Sequence, residues 1–331
     1  MQRFINRPDQ VVEDMLEGFV KSKDYIEYGG TEKRVVKYKN IPEQKVGLVT
    51  GGGSGHEPAF LGYVGKNMLD AVAIGEVFSS PTANDFFTAF QEADQGSGVA
   101  CLFGNYAGDN MNVKMAVMMA EDEDIEVKYV TANDDISSSP KETKEKRHGI
   151  AGGVYMWKIA GAKAAQGASL DEVIAVAQKT VDHTRSICVG LAPCTIPDVG
   201  HSNFNIKEGT YEFGIGHHGE PGMEICEMGT AKEIAEKMMK AIDEDYELSE
   251  GSEVSVIISG LGATPVMELY ILYNEVEKYL NRKNVRIYHP FVGNYVTSLD
   301  MNGAAVTVLK LDEELKQLLD GVVECPAFSY Q

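Results

Sequence analysis

The sequence predicts an α/β protein of two domains, each a mixed β-sheet flanked by helices. Three observations point there. Strand-like and helix-like stretches alternate through the first half of the chain, the pattern of a sheet covered by helices. Glycine-bearing segments follow two of those strands, at 51–55 and 104–108, where ligands bind in such sheets. Beyond residue 183 the pattern becomes turn-rich, which sets the expected domains at 1–183 and 184–331.

Taken in order, residues 10–21 place Val11, Val12, Met15, Leu16, Phe19 and Val20 on one helical face, after a start at Asn6 and Pro8. Strands are expected over 46–50, 71–75, 99–103 and 126–131, with helices near 84–93 and 113–120 between them. Met115, Met118 and Met119 lie at helical spacing and read as core. Residues 133–148 are polar without a period and read as an excursion over the surface. A helix follows to about Gly167, and Ser169 with Glu172 forms a capping box for the next one. Residues 186–216, with Pro193 and Pro197, read as turns. Thr230 and Glu233 cap a helix that turns Ile234, Met238, Met239 and Ile242 inward. Strands are expected over 254–259, 285–288 and 306–311, and the C-terminal tail is placed against the first domain.

Composition narrows the function. The chain has 331 residues and a formal net charge of −20, which would repel the phosphates of nucleic acid and of anionic membranes. Five cysteines, an odd number with no CxxC spacing, read as reduced thiols. No apolar signal core opens the sequence and no apolar run is long enough for a bilayer. A soluble cytoplasmic protein is expected.

Two segments bring histidine to a glycine-framed turn: Gly51-Gly52-Gly53-Ser54-Gly55-His56-Glu57-Pro58, and Gly214-Ile215-Gly216-His217-His218-Gly219-Glu220-Pro221-Gly222. The first is neither a P-loop, because no Gly-Lys-Ser/Thr follows, nor a dinucleotide fingerprint, because Pro58 stands where the third glycine belongs. What remains is a turn whose amides suit a small oxygen-rich ligand. Asp109 closes a third segment and could be a general base, with a metal or a helix N-cap as competitors; spacing alone favours the cap at least as much as the base. His217 and His218 are adjacent and point apart in an extended loop, so one metal would rarely take both, and no metal site is expected. By residue pattern alone each is an ordinary structural histidine, as are His148, His183, His201 and His289.

The motifs together resemble one family nearly end to end. GGGSGHEP at 51–58, GNYAGD at 104–109, GIGHHGEPG at 214–222, SGLGATPVMELY at 259–270 and GNYVTSLDMNGAA at 293–305 are similar to the substrate-binding K subunit of dihydroxyacetone kinases. The resemblance implies that His218 adds to the ketone of dihydroxyacetone or a similar short ketose and holds it as a hemiaminal. It also implies that His56 and Asp109 bind the terminal hydroxyl and take its proton, and that the amides of Gly53, Ser54 and Gly55 hold the substrate oxygens. ATP or ADP and Mg belong on a separate L subunit, used directly or recharged by a phosphotransferase-system phosphoprotein, and the K chain is expected as a homodimer. A non-catalytic ketone-sensing paralogue acting as a transcriptional co-activator is the second reading that the resemblance carries.

The sequence departs from the best-known members at three places. Gly104 stands for a lysine, Ala107 for a threonine and Phe60 for a histidine. The first two leave room for a four-carbon ketose, and the Phe60 ring works against that.

Overall fold

The computed structural model describes residues 2–202 and 204–330. Its first sheet contains β1 (Ile26–Gly29), β2 (Val35–Tyr38), β3 (Gly47–Ser54), β4 (Ala71–Val77), β5 (Val99–Gly104) and β6 (Val127–Ala132), in the order β1-β2-β4-β3-β5-β6. The pairs among β4, β3, β5 and β6 are parallel, whereas β1 and β2 join antiparallel at one edge. The second sheet contains β7 (Thr184–Ala192), β8 (Thr210–Phe213), β9 (Glu224–Glu227), β10 (Glu253–Gly260), β11 (Arg286–Gly293) and β12 (Asn302–Leu311), in the order β11-β10-β12-β7-β8-β9. Only its β10–β11 pair is parallel. Both sheets are mixed, and the chain passes from one to the other at His183.

The helices are α1 (Val11–Lys21), α2 (Ala83–Ala93), α3 (Ala107–Glu121), α4 (Gly152–Ala165), α5 (Leu170–Asp182), α6 (Ala231–Asp245), α7 (Val266–Arg282) and α8 (Glu313–Leu319). Both expected capping boxes form, at Ser169–Glu172 and Thr230–Glu233. Apolar faces of α2 and α3 cover one face of the first sheet, and those of α6 and α7 cover the outer face of the second. Between the sheets lies α4, with twelve of its fourteen residues buried. A helix apolar on all sides needs such a position. It is fixed to both layers: Trp157 Nε1 donates to the Leu102 carbonyl at 2.9 Å, and the Tyr155 hydroxyl to Ser255 Oγ at 2.7 Å. The tail, α8 with the hairpin of β13 (Val323–Cys325) and β14 (Phe328–Tyr330), packs into this same central core.

Three sequence expectations change. Residues 184–192, expected as part of a turn-rich region, form β7 inside the second sheet; the prolines that suggested turns begin only after it. Met115 and Met118 are 47% and 58% exposed rather than core, because α3 buries the stripe of Val113, Ala116 and Ala120 and turns the methionines outward. Residues 133–148 do cross the surface, but Asp134, Asp135, Ile136 and Arg147 are buried anchors at the two ends.

Arg147 is the firmer anchor. Its guanidinium meets Asp245 in two bonds, at 2.9 and 2.5 Å, and Arg185 Nε reaches the same carboxylate at 2.8 Å. Burial alone would raise the Asp245 pKa, but the two guanidiniums outweigh it and hold the carboxyl below its usual range. Removing this carboxylate strands two buried cations. Asp245→Ala is therefore expected to lose about 3–5 kcal/mol of stability, read as a lower urea midpoint at unchanged slope. A midpoint within error of the wild type would show that water compensates both arginines.

Candidate active site

The site begins where β3 and β5 part. They pair only over Gly47–Val49 and Val99–Cys101, and beyond that point the two strands diverge at their C-terminal ends. The order β4-β3-β5 makes this the switch point of the first sheet, the position where α/β sheets bind ligands. Gly51, Gly52 and Gly53, expected as a turn, continue β3 instead. They are glycines because neighbours crowd the strand: a Cβ on Gly52 would lie 2.1 Å from the Phe60 ring, and one on Gly51 2.4 Å from Phe86. Gly55, at φ +101°, makes the turn that follows.

A cavity of about 280 Å³ fills this cleft. Its wall includes Gly51–Gly53, His56, Phe60, Phe78, Ser80, Gly104, Asp109 and Trp157 of the first half, with His217 and His218 of the second. The loop between β8 and β9 carries the two histidines across. His218 is gripped by Glu220, whose carboxylate accepts from His218 Nδ1 at 2.9 Å and from its backbone N–H at 2.8 Å. Burial alone would raise the Glu220 pKa, but the His218 imidazole and these bonds hold it at about 2. Rings of His56, Phe78 and Tyr106 meet His218 at 5.0–5.1 Å, close to perpendicular.

His56 is held from the other side by the Thr297 carbonyl, which lies 2.6 Å from its Nδ1. Burial, reinforced by His218 and His217, pushes its pKa well below the ordinary value, so the ring is neutral. Its Nε2 lies 3.1 Å from His218 Nε2. With each Nδ1 donating to its own oxygen acceptor, the neutral His56 ring turns an Nε2 lone pair toward His218.

Asp109 stands at the third position of α3, the residue at the cap is Tyr106, and the Asp109 carboxyl draws on its own backbone amide in this first turn. Its carboxyl faces the cavity with Oδ1 buried and without a partner. Burial pushes its pKa up to about 6, against the pull of the Ser80 hydroxyl and the nearby His218 ring. A buried carboxylate with one unfilled acceptor is built to receive a proton or a hydroxyl.

The fold thus brings His56, Asp109, His218 and Gly53 to one cavity. Ser54 and Gly55 do not line it: the Ser54 hydroxyl donates to the Gly75 carbonyl at 2.8 Å, and the Gly55 amide to the Glu57 carboxylate at 3.0 Å. Gly51 and Gly52 take their place on the wall. Phe60 refills part of the space, its ring 5.8 Å from Trp157. His183, His201 and His289 bond to Lys179, Ser202 and Asp320 away from the cavity, whereas His148 stacks at 4.5 Å on Tyr106, one ring behind His218. Sequence reasoning missed Glu220 as the orienting group, although its spacing of two from His218 in a glycine loop was a usable signal. Thr297, 241 residues from His56, left none. Among the described residues no group of three or more His, Cys, Asp or Glu side chains is placed to hold a metal ion, and no helix is long and apolar enough to cross a membrane.

A small cavity at a sheet switch point, with an oriented imidazole pair and a buried carboxylate, defines a protein that holds one small polar molecule for proton or covalent chemistry. The Dak1 domain profile matches residues 17–327, and the chain belongs to that family. It is 42% identical over 330 residues, 99% of each chain, to the dihydroxyacetone-binding subunit DhaK of PTS-dependent dihydroxyacetone kinase 2 from Listeria innocua. Among solved structures it resembles the dihydroxyacetone kinase operon co-activator DhaQ, with TM-score 0.91 and 30% identity over 96% of this chain and 98% of that one. It also resembles the C. freundii dihydroxyacetone kinase solved with AMP-PNP and magnesium, with TM-score 0.90 and 29% identity over 99% of this chain and 61% of that one.

The raised Asp109 pKa has a stability consequence. Between the ordinary value of 3.8 and about 6 the folded chain binds this proton more tightly than the unfolded chain, so stability falls as pH rises through that window. Asp109→Asn is expected to be more stable than the wild type by about 1–3 kcal/mol at pH 8, with the difference shrinking as pH falls to 4. Urea midpoints at the two pH values check this, and a variant less stable at pH 8 would contradict the burial argument.

Proposed function

We propose that this chain is the substrate-binding subunit of a dihydroxyacetone kinase. His218 captures the ketone covalently, and a nucleotide-bearing partner subunit supplies the phosphoryl group. The observation that carries the reading is the grip of Glu220 on His218 Nδ1, which directs Nε2 into the cavity. As the His218 Nε2 lone pair forms a bond to the carbonyl carbon, the C=O π pair moves to oxygen, which takes a proton from solvent and becomes a hydroxyl. The one positive charge that this proton brings rests on the resulting imidazolium, facing the Glu220 carboxylate. Glycerol offers no electrophilic carbon and is passed over. Asp109 then accepts the proton of the terminal hydroxyl as that oxygen attacks phosphorus.

ATP or ADP with magnesium belongs to the partner in this reading, since the sequence holds no phosphate loop and, among the described residues, no carboxylate cluster is placed for the metal. The PTS-dependent name of the 42%-identical relative supports recharging of the partner's nucleotide by a phosphotransferase-system phosphoprotein. A ketone-sensing co-activator is the second reading, prompted by the likeness to DhaQ. Capture alone explains His218, but it leaves the open carboxylate of Asp109 without a task, and this favours the kinase subunit.

Two outcomes are expected. Intact-mass analysis with dihydroxyacetone yields an adduct on the wild type that His218→Ala lacks; an adduct that persists, or maps to another residue, removes the capture step. Asp109→Asn keeps the adduct but lowers phosphorylation with a cognate nucleotide-bearing subunit by about 10²–10⁴-fold. Near-normal turnover in that variant would leave Asp109 a purely structural role.

A further inference from the structure

His217 has no task in this scheme, yet it is buried at the cavity. Only 3% of it is exposed, it lines the cavity, and its Nε2 is a buried polar atom without a partner, as Asp109 Oδ1 is. The ring cannot turn away to relieve this. It stacks on His56 at 5.8 Å and 28°, and its backbone carbonyl accepts from the Ser298 hydroxyl. Burial, with His218 close by, pushes its pKa down to about 4, so the ring is neutral at working pH.

A neutral imidazole with a buried, unpartnered nitrogen is a cost to the empty chain. A carbon side chain would fill the same space without that loss. Polar atoms of this kind are satisfied by ligand where they line a binding cavity. A hydroxyl is the matching group, because it donates to or accepts from Nε2 whichever tautomer is present.

We propose that His217 is a specificity-determining contact, whose Nε2 hydrogen-bonds the second hydroxyl of the captured ketone while the first meets Asp109. The cavity then selects α,α′-dihydroxy ketones over ketones with a hydroxyl on one side only. With a single hydroxyl, the ligand places it at the Asp109 carboxylate, the stronger acceptor, and leaves His217 unpaired. Discrimination follows from the unpaired site as much as from the bond gained. This inference rests on ketone capture at His218.

The test compares adduct dissociation constants for dihydroxyacetone and hydroxyacetone, measured by intact mass on the wild type, His217→Leu and His217→Gln. Intrinsic differences in carbonyl reactivity cancel in the ratio of ratios. The wild type is expected to favour dihydroxyacetone. His217→Leu weakens that adduct by about 5- to 100-fold and leaves hydroxyacetone unchanged or tighter, while His217→Gln restores part of the preference. Equal loss of both ketones in the two variants marks a structural residue and overturns the proposal, as does an unchanged preference in His217→Leu. A wild type that forms no adduct with either ketone overturns capture itself, and this inference with it.

Discussion

The site depends on a seam between two distant segments of the chain. The Thr297 amide donates to the His56 carbonyl at 3.1 Å, the Leu299 amide to the Gly55 carbonyl at 2.7 Å, and the Thr297 hydroxyl to the Glu57 carbonyl at 2.8 Å. The fourth bond is the one from His56 Nδ1 to Thr297. Three of the four are accepted by the backbone carbonyls of residues 55–57, so the seam fixes the path of that segment as well as the ring of His56. The second sheet thereby positions a residue that belongs by sequence to the first.

Two carboxylates near His218 are driven in opposite directions by their surroundings. Glu220 accepts from an imidazole and from an amide and stays ionised, at about 2. Asp109 has an unfilled oxygen, and burial raises it to about 6. Such separation of paired acids is how one site assigns different tasks to chemically similar groups. Here one carboxylate orients the His218 ring, and the other is poised to exchange a proton near neutral pH. The histidines follow the same logic: burial keeps His56 and His217 neutral, so their nitrogens serve as hydrogen-bonding groups and the cavity gains no fixed positive charge from them.

The alternation of strands and helices was legible because the parallel core of the first sheet repeats one unit, and the capping boxes were legible because they are local. The motifs at 51–58, 104–109 and 214–222 pointed to His56, Asp109 and His218 before any geometry was known. Glycine was the residue most easily misread. Gly51 to Gly53 look like a flexible turn, yet they form a strand and are small because Phe60, Phe86 and Ser79 crowd them. Likewise β7 was hidden by the prolines that follow it, and the exposed methionines of α3 follow the helical period without belonging to its buried stripe.

The sequence by itself determined the fold class, the reactive residue types and the irregular loops that carry them, because these follow from local spacing and backbone freedom. Only the tertiary structure decided which nitrogen of each histidine is free, which carboxylate is depressed and which raised, and which polar atoms lack partners. Those properties depend on groups as far apart in sequence as His56 and Thr297, and on burial in a cleft that neither sheet forms alone.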